Sequence, residues 1–514
     1  MPNLLQLPPE LLGRIIEFSM PLDFENLMIT CQGVYACGKS QIPMHTAYKK
    51  EWRKISLNSG QDTAAAFKCL YQIAKAPIIA DYIECADLRG SGLNGLQFDL
   101  EQSLEEFHAL HADTKSMERF RSLVAGSSCL LENKVAVRNW QSMVTMDSEE
   151  NDESKPLVSW SWAFLLAQLK NVKRLTLPME WGSIVVPDWD ETRSGRWQLL
   201  EKMMRLSYTS TRHAPWSQLK TLRFLEPVDY ETRNGLATLL PFLGTSGLEE
   251  LYATSLVAVD DGYTGISFHW PYTDLNSSLR SVELVSCCMD GEGIGNLLVH
   301  TPKLRSFKYS HHTKWHGCEH DWNAGAFVAS IGEHCGHQLT ELAVTVDQLF
   351  GRIINGVTSM KEFECLESVE LEIGIFAGPS LQSGERRGTN SCSPSEGYEP
   401  WVEKDVPKLV QILPSSLKSL WLFDNRTIWT DNSVPLSLIK DFSAGRDWLL
   451  SDLEHLSYRQ LLGRDLSFPD PEASAIESVK KQAELNGFAF IAGAGLQPFW
   501  RRAFGERHGI LADD

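Results

Sequence analysis

One short phrase recurs nine times along this chain and restricts what it can fold into. A leucine (once valine) is followed by two residues, an apolar residue, one residue, and a second apolar or aromatic residue. The apolar positions are Val172/Leu175/Leu177, Leu219/Leu222/Phe224, Leu248/Leu251/Ala253, Leu279/Val282/Leu284, Leu304/Phe307/Tyr309, Leu339/Leu342/Val344, Leu366/Val369/Leu371, Leu417/Leu420/Leu422 and Leu453/Leu456/Tyr458. Most intervals fall between 25 and 36 residues, and two are near 50. Helix-like stretches lie between phrases, at 161–170, 235–243, 291–300, 325–333 and 407–413. One strand plus one helix cannot bury its own apolar side, so such units must stack into a solenoid.

Side chains alternate along a strand, which sends the apolar positions of each phrase inward and the residues between them outward. Arg174, Thr221, Arg223, Tyr252, Glu283, Lys308, Glu370, Trp421 and His455 are therefore expected on the concave face of a parallel sheet, with helices on the convex side. That mixed, polar surface suits a protein partner better than a small apolar ligand. The phrase and its spacing resemble an irregular leucine-rich repeat.

The first 55 residues read differently. Pro8 and Pro9 fit a helix entrance, where a missing N–H costs nothing, and Glu10 sits near the positive end of the helix dipole. Leu11, Leu12, Ile15, Ile16 and Phe18 then form one wide apolar face. Pro21 ends that helix and Asp23 can cap a second, whose apolar side is Leu27, Met28 and Cys31. A third helix over 45–55 aligns Tyr48, Trp52 and Ile55. Three helices of this size bury too little surface to be very stable alone, so the apolar face invites a partner.

The run Leu7-Pro8-x-Glu10-Leu11, then Ile15, a short acidic turn and Leu27, resembles the F-box. That resemblance implies docking on the Skp-type adaptor of a cullin–RING ubiquitin ligase core. It places Leu7, Pro8, Glu10, Leu11 and Ile15, with Leu22 and Leu27 behind them, on or beneath the adaptor-binding face. The sequence departs from the pattern after the second helix, where many F-boxes carry Trp and this chain has Gln32-Gly33-Val34-Tyr35. Pro77 to Tyr82 with Leu88, and Leu166 to Leu177, are similar to fungal F-box proteins with degenerate leucine-rich repeats. The alternative for the N-terminal helices is a plain cap on the repeat core.

A chain of 514 residues exceeds one compact core. The expected organisation is α/β: a three-helix F-box-like domain over 1–55, a helical linker with first irregular repeats over 56–160, and a leucine-rich-repeat-like domain over 161–514. Within the linker, 62–76 reads as an amphipathic helix, 83–88 as a first poorly formed repeat strand, and 101–140 as irregular and helical. Two insertions are expected to be loops, the acidic 147–153 and a flexible, disordered-looking 383–400. Helix 472–486 and strand 487–492 belong to a cap over 470–514 at the far end of the array.

The formal net charge of −18, with no stretch rich in Lys and Arg, excludes a counterion-displacing nucleic-acid surface. Eleven scattered cysteines do not form a disulfide framework, and no apolar run reaches the length of a bilayer span. These cues indicate the cytoplasm or nucleus and no membrane partner. The run His311, His312, His316, Cys318, His320, with His334, Cys335 and His337 following, invites a zinc test, but its spacing fits no regular site and a polar loop explains it equally. Gly291-Glu-Gly293-Ile-Gly295 lacks the dinucleotide order and reads as a strand-to-helix turn. With no phosphate loop, metalloprotease helix or nucleophile elbow in view, the expectation is a substrate receptor that is not an enzyme and has no cofactor or metal. Its partners would be the adaptor, the ligase core and an unknown protein target. A leucine-rich scaffold without a ligase role is the first alternative, and an enzyme built around 311–337 the second.

Overall fold

Every one of the nine phrases lies on a β-strand, and the strands of each unit run parallel. The computed structural model describes residues 4–57, 65–89, 113–127, 129–130, 137–141, 155–179, 181–184, 195–209, 214–259, 266–314, 320–376, 378–385, 387–388, 399–400, 407–425, 438, 450–461, 470–485, 487–495 and 497–510. The acidic segment 147–153 lies outside the described residues, as does all of 90–112. The chain divides into two compact units, Met1–Arg223 with Thr245–Leu248, and Phe224–Gly244 with Glu249–Asp514.

The first unit opens with four short helices where three were expected: α1 (Pro9–Phe18), α2 (Phe24–Met28), α3 (Gln32–Gly38) and α4 (Ile42–Trp52). Gln32 to Gly38 is helical, and Cys31 is the extended residue that starts this helix, not part of an apolar side of α2. Leu12, Ile16, Met20, Phe24, Met28 and Val34 form a small core, with Leu27, Ile42 and Ile78 packed against it. Ile55 belongs to strand β1 (Lys54–Ser56) and not to the helix that carries Tyr48 and Trp52. A boundary at residue 55 therefore falls inside a strand. It pairs with β2 (Cys85–Asp87), the strand expected at 83–88, which pairs in turn with β3 (Arg174–Thr176) and then β4 (Thr221–Phe224). The other α-helices described in this unit are α5 (Ala65–Lys75), α6 (Ile78–Tyr82), α7 (Thr114–Gly126), α8 (Lys155–Gln168), α9 (Trp181–Ile184) and α10 (Gly195–Leu206). His45 of α4 hydrogen-bonds Tyr82 of α6 through Nδ1 at 2.7 Å, which ties the N-terminal helices to α6.

In the second unit the strand order is β6 (Glu250–Thr254), β8 (Ser281–Met289), β9 (Ser306–His312), β10 (Glu341–Gln348), β11 (Ser368–Glu372), β14 (Ser419–Asn425), β15 (His455–Leu461) and β16 (Ala489–Ala494). Off this path, β5 (Asn234–Gly235) pairs β7 (Leu256–Ala258), which pairs the end of β8. Register aligns the middle apolar position of every phrase: Leu251, Val282, Phe307, Leu342, Val369, Leu420 and Leu456, ending on Phe490. All but the last are at most 2% exposed, so this row is core. Between strands come α11 (Leu240–Leu243), α12 (Gly291–Leu298), α13 (Ala324–Cys335) and α14 (Leu409–Ile412). Phe327 of α13 packs at 4.4 Å, tilted by 35°, against Tyr309, which is buried in the core. Of the insertion 383–400, Arg387–Gly388 (β12) and Glu399–Pro400 (β13) pair as a short parallel ladder, while 389–398 lie outside the described residues.

The glycine run at 291–295 has a packing reason. Asp290 caps α12 by accepting a hydrogen bond from the Gly293 amide at 2.6 Å. A Cβ on Gly293 would overlap the Ala258 carbonyl, and one on Gly291 would press on the Ala326 carbonyl. These contacts are with backbone and cannot rotate away. Gly293→Ala is expected to lower stability by about 1–3 kcal/mol, the usual range for overpacking. Urea unfolding checks it, and an unchanged midpoint would refute the close approach.

Candidate functional site

The outward positions of the second unit also fall in one row. Tyr252, Glu283, Lys308, Ala343, Glu370, Trp421, Ser457 and Ile491 are successive register partners. Five of the predicted target-binding residues thus lie side by side. His455 is exposed and two positions earlier on its strand. Arg174 and Arg223 belong to the first unit, on neighbouring strands, the former exposed and the latter half-buried.

The row is not the open surface that alternation alone leads one to expect. The chain's last described helix, α16 (Phe499–His508), lies on it. Helix α15 (Asp470–Leu485) and strand β16 extend the array as its last repeat, so only part of 470–514 behaves as an end cap. The remainder turns back over the outward face of β6 to β15. Trp500, Phe504 and Ile510 pack with Leu225, Val285 and Ala343, and with the half-buried Val228 and Tyr252.

The polar contacts are more specific than the apolar ones. The Glu370 carboxylate accepts hydrogen bonds from the first two amides of α16, Phe499 N at 2.6 Å and Trp500 N at 3.1 Å. A carboxylate at a helix N-terminus meets both free donors and the positive end of the dipole. Trp500 Nε1 donates to Thr345 Oγ1 at 3.2 Å. Arg501 Nε reaches both Asp347 oxygens at 3.1 and 3.3 Å, and Arg507 Nη2 donates to Glu283 Oε2 at 2.6 Å. Arg459 lies 3.5 Å over the Phe499 ring. Gly509, at φ +65°, ends the helix in the left-handed conformation and Ile510 N returns to Gly505 O.

Beside the Arg501 contact is a buried polar centre. Asp347 Oδ2 accepts from Ser286 Oγ at 2.7 Å and Ser310 Oγ at 2.8 Å. His312 Nδ1 lies 3.3 Å from Ser286 Oγ, and Lys314 Nζ donates to the Asp229 carbonyl and to Ser255 Oγ at 3.1 Å. Ser255, between β6 and β7, and Ser286, at a register shift within β8, both hold positive φ, 56° and 51°. Burial alone would raise the Asp347 carboxyl, but Arg501 and the two serine hydroxyls hold it below the usual range. Burial depresses His312 to about 4, and the nearby Lys314 adds to it. Burial also raises Glu370, against the two helix amides, and raises Glu372 well above an ordinary carboxylate.

Serine, histidine and aspartate together suggest a nucleophile, but the order of contacts does not build one. The carboxylate binds the serine directly, and no acid among the described residues hydrogen-bonds the imidazole. His312 Nε2 has no hydrogen-bond partner among the described residues. Of the zinc candidates, His311 stacks on Trp322 at 4.3 Å within the core, while His316 and Cys318 lie outside the described residues. No His, Cys, Asp or Glu group among the described residues is arranged to hold a metal, and none of the described helices is long and apolar enough to cross a membrane.

Ser286, Ser310, Thr345 and Asp347 escape the sequence pattern because the phrase ends before them, and because the register shifts between Leu284 and Cys287 in β8 and between Val346 and Gln348 in β10. The fold and site define a parallel α/β repeat protein with an aromatic, basic helix lodged on the polar face of its sheet. No family model and no curated protein matches the chain.

Proposed function

We propose that the chain is the substrate receptor of a cullin–RING ubiquitin ligase in the cytoplasm or nucleus. Its F-box-like N-terminal helices dock on a Skp-type adaptor, and its leucine-rich-repeat-like array holds a protein target. Such a receptor works by proximity, raising the effective concentration of a target lysine without contributing a catalytic group.

The observation that carries this reading is the divided face of α1. Leu12 and Ile16 are 3% and 0% exposed, whereas Leu11, Ile15 and Phe18 are 50%, 37% and 83% exposed. Ile29, just after α2, and Tyr35 and Met44 of α3 and α4 add further exposed apolar side chains. Large apolar groups left exposed on one small helical unit support a partner-binding role. Among the residues matched to the F-box, Pro8 and Glu10 are also exposed, while Leu7, Leu22 and Leu27 are half-buried.

Leu11→Asp with Ile15→Asp tests the docking face. Completing the burial of two half-exposed side chains contributes about 2 kcal/mol, so adaptor affinity should fall roughly thirtyfold. Thermal stability should change little, because neither side chain is in the core. Co-purification with the adaptor reads the outcome, and equal recovery of adaptor by the double variant would leave the scaffold alternative standing.

A further inference from the structure

The outward face of the second unit is built for a helix of a particular chemistry. Its floor is acidic where the helix is basic: Glu370 meets the N-terminal amides, Asp347 meets Arg501, and Glu283 meets Arg507. Between these anchors Val285, Ala343 and Leu225 receive Trp500 and Phe504. The anchors Trp500, Arg501 and Phe504 are buried, while Arg502, Ala503, Glu506 and Arg507 remain exposed. The Asp347–Arg501 and Glu283–Arg507 contacts each join a strand position to one side chain of the helix, so the surface reads sequence and polarity, not apolarity alone.

We propose that this face is a groove for a basic, aromatic-bearing helix of a protein target, and that the chain's own C-terminal helix is a tethered occupant that such a target must displace. The first clause concerns a binding surface of this chain alone; that its natural occupant is a ligase target rests on the receptor reading. A short tether keeps the internal helix at an effective concentration on the order of millimolar, so it lowers the apparent affinity of any competitor without adding a contact. An acidic chain thereby selects basic helices that reproduce an aromatic residue at the first turn, an arginine beside it and a second aromatic four residues after the first.

The test uses the full chain and a fluorescent peptide of residues 496–511. Trp500→Ala with Phe504→Ala removes the internal helix's apolar anchors and leaves Glu283, Asp347 and Glu370 in place. The opened chain is expected to bind the peptide at least tenfold more tightly than the unmodified chain. Adding Glu370→Gln should weaken that binding severalfold, and a peptide carrying Arg501→Glu and Arg507→Glu should not bind. If the double variant loses its circular-dichroism signal, Arg501→Gln with Arg507→Gln takes its place with the same expectation. Equal affinity for opened and unmodified chains, or equal binding of the charge-reversed peptide, would overturn the proposal. A concentration-dependent dimer of the unmodified chain in sedimentation would make a second copy the occupant and overturn it too. None of these readouts involves the adaptor, so loss of adaptor docking and loss of the groove are separate results.

Discussion

Trp322→Ala is expected to lower the stability of the second unit by about 3–5 kcal/mol, a larger loss than overpacking at Gly293 would cause. The ring is 1% exposed and stacks on His311 at 4.3 Å with planes 13° apart. It also meets Phe327 edge-on at 5.5 Å and Tyr309 at 6.1 Å. Its Nε1 donates to the Met289 carbonyl at 3.2 Å, and its backbone bridges Ile353. Alanine would leave a cavity between β9 and α13 and orphan the Met289 acceptor, two costs that add. Trp322→Phe keeps much of the volume but loses the hydrogen bond, so it should fall between the two. Hydrogen exchange at the β8 and β9 amides separates this unit from the first, which a single melting temperature would not do. Protection in β8 and β9 equal to that of the unmodified chain would show that the ring cluster is not the core of this unit.

That cluster shows where sequence pattern stops being informative. Leu304, Phe307 and Tyr309 announce strand β9, because an inward period of two is visible in any sequence. The strand nevertheless runs on to His312, and the polar run from His311 reads as a loop because histidines carry no apolar signal. Only the packed structure shows His311 as a core residue against Trp322. The same reasoning covers the N-terminal helices. Leu11, Leu12, Ile15 and Ile16 are all apolar and read as one face, yet Leu12 and Ile16 alone enter the core. Helix α3 is invisible in the pattern because Gln32-Gly33 resembles a turn, and burial of Val34 is what stabilises it.

The docking of α16 is beyond pattern altogether. Arg507 and Glu283 are 224 positions apart, and Trp500 and Glu370 are 130 apart. Pairings at such separation have no periodicity to follow. Phe499 to His508 has the composition of an exposed, basic helix, and its aromatic residues at 500 and 504 are the one local hint. Alternation places the outward residues of the sheet correctly along their strands, since Tyr252, Glu283, Lys308, Glu370 and Trp421 share one register row. Alternation tells which way a side chain points and is silent about what covers it. The buried carboxylates Glu283 and Glu370 are the physical trace of that cover: acidic side chains of this burial require partners, and α16 brings two amides to Glu370 and adds Arg507 to the Lys308 that already lies 3.7 Å from Glu283.

The polar centre under the helix makes stability depend on pH through His312. The ring lies among Lys314, Arg501, Asp347 and Asp229, with the buried His311 adjacent in sequence. Two cations and burial oppose its protonation; two carboxylates favour it and lose. With its folded pKa depressed to about 4 from an unfolded value near 6.5, the unfolded chain binds more protons at any pH between them. The contribution is therefore fully present above pH 6.5 and is lost as pH falls toward 4, a change on the order of 3 kcal/mol. Glu372 works in the opposite direction, because its raised pKa makes the folded state relatively more stable as pH falls toward the ordinary carboxylate value. The two trends overlap, so the net profile alone does not report on the histidine. His312→Asn separates them: an amide can retain the contact with Ser286 and cannot gain charge. Urea unfolding at pH 7.5 and pH 5 is expected to show the unmodified chain losing about 2 kcal/mol more than the variant over that interval. The acid loss should be accompanied by release of α16, since a charged imidazole beside Arg501 repels the helix that Asp347 holds. Parallel pH profiles for the two proteins would mean that His312 titrates alike in both states, and the polar centre would then be a solvated pocket.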